Sequence, residues 1–307
     1  MISFRYFLIT IVAIFLALGL GVLAGSTVLE QSLVDGLQAQ TDRLQADLSE
    51  LRGEATDQRV QLDKLNEYSD AVLPVLARGR LVGRQVLVIT DQGAIDDGLS
   101  DRVIDALRTA DADVLAALRI DPRMSASSAA TRNALAEAIG VPASTSARIL
   151  REKAAAALAR RLARADQPPD DVLGRLQDAG FVTDLLGSAA PEEVGGANQS
   201  IVVVHGGAQD QLPRPSDFLV PLVEELVATQ RLDVAAAEGT DSQPEFVREL
   251  RGSNLLGDRQ FVTVDDVDLG MGQVALDLGL QRLLEFGEGG DYGLEAADIF
   301  PPLEPGA

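Results

Sequence analysis

The sequence predicts an α/β protein with an N-terminal transmembrane helix, a coiled-coil helix, and then a domain built on a doubly wound, mostly parallel sheet. Three observations carry that prediction. Tyr6 to Leu29 contains no charged residue. Leucines then recur on a seven-residue period between Leu37 and Leu65. After Arg80, short apolar runs alternate with amphipathic stretches, the pattern of strand–helix–strand units. The expected divisions are a transmembrane anchor over 1–30, a coiled coil over 31–78, an α/β domain over 79–286 and a flexible acidic tail over 287–307.

The first segment reads YFLITIVAIFLALGLGVLAGSTVL. At ~1.5 Å per residue such a helix spans roughly 36 Å, enough for a hydrocarbon core of about 30 Å. Arg5 precedes it, and Glu30 and Asp35 follow it. The positive-inside rule therefore places the N-terminus in the cytoplasm and the rest of the chain outside. A cleaved signal peptide is the rival reading, with Val22-Leu23-Ala24 as its small-x-small site. The apolar stretch is longer than the ~7–15 residues of a signal peptide, which favours an uncleaved anchor in membrane lipid. Ala17, Gly21 and Gly25 recur every four residues, a spacing that lets two membrane helices approach closely.

The second segment follows a heptad. With Leu48 at position a, the a positions are Thr41, Leu48, Ala55 and Leu62, and the d positions are Leu37, Leu44, Leu51, Gln58 and Leu65. Asp47 and Glu54 fall at g, and Arg52 and Arg59 at the e positions five residues on. In a parallel homodimer these become Asp47–Arg52′ and Glu54–Arg59′, the pairs that set orientation. Each is worth only about 0.2–1 kcal/mol, so they select register more than they stabilise. The membrane seam and the heptad seam are out of phase, and engaging both requires a bend near Gly36. The other reading is a single amphipathic helix lying on its own domain. Gln58 at d and Ala55 at a weaken the seam, as Gly36 and Gly53 weaken the helix.

Beyond Arg80 the strands are expected at 85–90 (QVLVIT), 113–120 (DVLAALRI), 181–185, 200–205 (SIVVVH), 233–237 and 260–264. Helices are expected at 97–110, over two stretches of 127–165 parted near Pro142, and at 170–179, 218–230, 245–251 and 272–285. Pro168-Pro169 reads as a loop. Five or six strands result, and the Gly-, Pro- and acid-rich end of the chain reads as a mobile tail.

Composition excludes several functions. The 307 residues include no Cys, one His and a formal net charge of −21. Disulfides, zinc–thiolate sites, iron–sulfur clusters and thiol catalysis are therefore ruled out. So strong an acidity argues against nucleic acid as a partner.

In open α/β sheets, ligands sit at the carboxyl ends of the strands. Asp91, Asp96 and Asp97 follow the first strand, His205-Gly206-Gly207 the strongest one, Glu238 the fifth, and Asp265, Asp266 and Asp268 the last. His205, Asp91, Asp96 and Asp97 are the candidate metal ligands, since carboxylates suit hard cations and imidazole suits Cu(II). The competing reading makes each Asp a helix cap or a solvated turn. Gly270-x-Gly272-x-x-Ala275 comes after the last strand, too late to open a dinucleotide-binding unit. No Gly-x-Ser-x-Gly elbow occurs, and no activated nucleophile stands beside His205 in sequence. Neither catalysis nor a resident cofactor is expected.

The opening MISFRYFLITIVAIFLALGLGVLAGS, the Leu-repeat helix directly after it, the QVLVIT strand, the SIVVVHGG strand and the Tyr292-Gly293 tail together resemble the actinobacterial copper transporter family, the MctB-type copper transport outer-membrane proteins. The resemblance covers nearly the whole chain. It implies a cell-envelope protein linked to copper homeostasis, and relatives linked to assemblies that control septal wall hydrolysis alongside a membrane partner. The residues themselves offer Cu(I) little, because Met124 and Met271 lie in different segments and no Cys is present. The expected function is a cell-envelope membrane protein in copper transport or homeostasis, without a high-affinity copper site in one protomer. The alternative is a non-catalytic scaffold whose coiled coil docks a cell-wall hydrolase or cell-division partner. A third reading, an exported enzyme using His205 and the acidic cluster, lacks a nucleophile.

Overall fold

A computed structural model describes residues 4–164, 171–187, 189–207, 213–243, 245–253 and 261–302. In the first helix it describes no side chains for 4–5, 24–39, 41–42, 62–63, 65–66, 70 and 73–74. The described chain is mixed α/β, opening with one helix, α1 (Phe4–Ala77), that continues through Gly36 and Gly53. Contacts divide the chain into two units, Met1–Leu65 and Asn66–Ala307, so the last turns of α1 belong with the sheet.

Within the first unit, Tyr6–Leu23 is exposed and has a mean hydropathy of 2.6, long and apolar enough to cross a membrane. On the heptad face Leu44, Leu48 and Leu51 are about half exposed in the single chain. Side chains of Leu37, Leu62 and Leu65 lie outside the described residues. Asp47, Arg52, Glu54 and Arg59 are all exposed, and none pairs with another described residue.

The second unit is a seven-stranded sheet: β1 (Gln85–Asp91), β2 (Asp113–Ile120), β3 (Val182–Asp184), β4 (Gln199–His205), β5 (Asp233–Glu238), β6 (Phe261–Val264) and β7 (Gly290–Tyr292). Their spatial order is β3-β2-β1-β4-β5-β6-β7, and every pairing is parallel except the antiparallel β2–β3 edge. The order reverses direction between β1 and β4, which makes the sheet doubly wound. Near-continuous apolar runs such as Ile201–Val204 form the central strands because both faces are covered.

Helices α2 (Gln92–Asp96), α3 (Leu99–Thr109), α4 (Ala129–Ile139), α5 (Ala147–Leu162), α6 (Val172–Asp178), α7 (Leu219–Ala228), α8 (Phe246–Gly252) and α9 (Gly270–Phe286) complete the unit. One face of the sheet (Leu87, Ile89, Ile201, Val203, Val234, Ala236) packs with Leu135, Leu158, Leu176, Phe218 and Phe246. The other (Val88, Val202, Val204, Ala235, Val262) packs with Leu107, Leu276, Leu280, Leu81 and the end of α1 at Ala77. Each fully buried Leu or Phe contributes about 1.5–3 kcal/mol.

The structure adds two elements to those expected, α2 and β7. The helix expected at 97–110 is α3, and a short helix not expected from the sequence, α2, precedes it, the two parted where Gly98 takes a left-handed conformation (φ 66°). Pro168-Pro169 lies outside the described residues. Residues after 287, expected as a flexible tail, include a seventh strand. β7 pairs with β6, and Tyr292 is buried against the core. The segment's Gly and acid content masked a three-residue edge strand whose only large apolar anchor is that tyrosine.

Candidate functional site

Parallel register sets the site. Thr90 lies opposite Val204, so Asp91 stands beside His205; His205 pairs with Glu238, and Ala237 with Val264, which brings Asp265 next to Glu238. Period-two alternation sends all four side chains to the same face as Ile89, Val203 and Ala236. Asp91, His205, Glu238 and Asp265 therefore form a row across four adjacent strand ends, each at most 6% exposed.

Each member of the row has a structural commitment. Asp91 Oδ1 accepts from Ala94 N at 2.9 Å, capping α2, and Asp91 Oδ2 lies 2.5 Å from His205 Nδ1. His205 meets the edge of the Phe246 ring, with centroids 5.8 Å apart. Glu238 Oε2 accepts from Phe246 N at 2.6 Å, at the start of α8. Burial pushes the Glu238 carboxyl up to about 7, against the opposing pull of the α8 amides, His205 and Arg251. Asp265 Oδ2 takes Arg251 Nη1 at 2.5 Å, and the same guanidinium donates to Thr263 Oγ1 and the Tyr292 carbonyl.

Two carboxylates on the opposite face have no such partners. Both Asp266 oxygens and both Asp277 oxygens are buried without a hydrogen bond among the described residues. Burial, with Asp265 and Asp268 adding repulsion, raises Asp266 to about 7, while Arg251 opposes it. Burial alone holds Asp277 well above the carboxylate range.

The crevice where the strand order reverses is filled. A Cβ at Gly206 would come within 2.8 Å of the Ala94 Cα, so α2 sits directly against the end of β4. Beside it a cleft of about 330 Å³ is bounded by Asp97, Leu99, Gly207, Gly239, Ser242 and Asp268. Asp268 is already engaged there by the Thr240 N–H and hydroxyl.

The four candidate metal ligands separate. Asp91 and His205 come together, Asp96 accepts from Gln92 Nε2 on the surface, and Asp97 lines the cleft. Among the described residues no group of three or more His, Asp or Glu is placed to hold a metal ion. His205 Nε2 is buried and has no partner there. The Ser242 hydroxyl donates to the His205 backbone carbonyl rather than to the ring, so Asp91, His205 and Ser242 do not form a nucleophilic triad. Met124 is fully buried in the core. Gly272 opens α9 against the Asp266 carbonyl, a packing role and not a phosphate cradle.

Sequence reasoning passed over Arg251 and Asp277. Arg251 reads as an ordinary last-turn cation, and only the return of β7 gives it Tyr292. The signal for Asp277 was its place on the apolar side of α9, between Val274 and Leu280.

The family described as "Copper transport outer membrane protein, MctB" matches residues 1–302. Proteins named "Copper transporter MctB" from Mycobacterium bovis and Mycobacterium tuberculosis are 25% identical over 311 residues, covering 95% of this chain and 96% of theirs.

Proposed function

This chain belongs to the MctB copper transport outer membrane protein family, and from that premise we propose a single-pass cell-envelope protein acting in copper transport or homeostasis. The observation that carries the reading is the extent of the match, which runs through the apolar helix, the heptad segment and the sheet alike. In this reading Tyr6–Leu23 anchors the chain, the N-terminus is cytoplasmic and the α/β unit is extracytoplasmic. Two chains pair in parallel through Leu44, Leu48 and Leu51, with Asp47–Arg52′ and Glu54–Arg59′ fixing register.

The copper role is one of assembly and not of a tight site in one protomer. Cu(I) is drawn to thiolate and thioether and Cu(II) to imidazole. The chain has no Cys, its one His is buried against Asp91, and Met124 is sealed in the core. One apolar helix also cannot enclose an aqueous pore. Deleting the gene tests the proposal: cell-associated copper rises and copper tolerance falls, and the wild-type copy restores both. Unchanged copper content and tolerance in the deletion strain would overturn it.

A further inference from the structure

We infer that the interface between two copies continues past the heptads of Leu37–Leu65 into the sheet-bearing unit, through the outward face of the last turns of α1. This rests on the parallel pairing proposed above. Ala77, at the end of α1, is fully buried with Leu81 in the core on one side of the helix. The other side carries Tyr68, Val72, Val75 and Leu76, spaced i, i+4, i+7 and i+8, hence on one face. Tyr68 is 66%, Val75 79% and Leu76 42% exposed. Single exposed apolar residues are ordinary, whereas a contiguous face of them marks an interface.

The heptad frame says which occupant this face takes. Counting on from Leu48, Ser69 falls at a, Val72 at d in step with Leu44 and Leu51, and Leu76 at a in step with Leu48. Tyr68 and Val75 fall at g, the position held by Asp47 and Glu54 nearer the membrane. The seam thus keeps its phase and widens, its charged flank giving way to an apolar one. A straight helix would drift about 20° per heptad from this line, and the left-handed supercoil of a paired helix removes the drift. Exposed charges of both signs, Lys64, Glu67 and Arg78, flank the face in a chain of net charge −21, which is not the basic stripe a lipid surface selects. A second copy, already aligned by Asp47–Arg52′ and Glu54–Arg59′, is the occupant that fits.

The chain lacks native cysteine, so one substitution places a single thiol. Leu51→Cys, Leu76→Cys and Arg78→Cys are made in the full chain and oxidised with diamide in native membranes. The first two are expected to run at twice the monomer mass, and Arg78→Cys, off the seam, as monomer. Crosslinking at Leu51 but not Leu76 overturns the continued interface and leaves the coil standing. Crosslinking at neither removes both, and equal crosslinking at Leu76 and Arg78 reports collision and overturns the inference. In detergent, Val75→Asp with Leu76→Asp shifts the chain toward monomer, and an unchanged dimer fraction counts against it.

Discussion

Asp266 is where the fold most directly opposes a charge. Its two oxygens are buried without hydrogen-bond partners among the described residues, two further aspartates stand beside it, and its carboxyl is raised from 3.8 to about 7. Because the folded-state value lies above the unfolded one, stability from this group is complete below about pH 3.8. It is lost as pH rises through about 7. The gap corresponds to about 4 kcal/mol at ~1.36 kcal/mol per pH unit, a ceiling that relaxation lowers. Asp266→Asn removes the titration and keeps the shape. Its unsatisfied amide costs ~1–3 kcal/mol at every pH, so the diagnostic quantity is the slope. Denaturant unfolding of the wild type and the variant is compared from about pH 4 to about pH 8. The variant is expected to gain on the wild type by up to about 4 kcal/mol across that range. Two parallel stability curves would refute the reasoning, because they would mean the carboxyl is ionised throughout.

Other substitutions test the same framework. Glu238→Gln keeps an oxygen for the Phe246 N–H but removes a group raised from 4.5 to about 7, so the loss of stability from about pH 5 to about pH 8 becomes shallower in unfolding titrations. Gly272→Ala would put a Cβ 2.1 Å from the Asp266 carbonyl oxygen, and the backbone shift it forces costs ~3 kcal/mol or more, read as a lowered unfolding midpoint. Arg161→Leu leaves the buried Asp171 carboxylate without its ion pair, and ~3–5 kcal/mol of stability is lost by the same measurement.

Strand identity was legible where burial on both faces made the signal continuous: QVLVIT, DVLAALRI and SIVVVH all lie in strands. The apolar N-terminal helix was legible for the same reason, since a candidate membrane span and a core strand both show uninterrupted apolar sequence. β7 was not, because Gly290 and Asp291 carry no apolar signal and the strand depends on β6 being there first. The site was legible residue by residue, since Asp91, His205, Glu238 and Asp265 each follow a strand. Their arrangement in one row was not, because it requires the order β1-β4-β5-β6, which no local pattern encodes. Filling of the switch point by Ala94 against Gly206 was hidden for the same reason.

That row bears on where a member of a copper transport family could hold a cation, since no metal-holding group of three or more His, Asp or Glu occurs among the described residues. Asp91 caps α2 while holding His205, Glu238 caps α8, and Asp265 holds Arg251. A cation entering there must displace a cap, at ~0.5–2 kcal/mol, or break a buried charged pair, at ~3–5 kcal/mol. Those costs fall on the elements that close the carboxyl edge of the sheet, so binding would compete with folding. The same chain leaves Leu44, Leu48 and Leu51 about half exposed and flanks them with unpaired charges of both signs on the first unit. Apolar surface is therefore left open on the helix and not at the sheet, and the proposed function accordingly assigns the copper role to pairing of chains and not to His205.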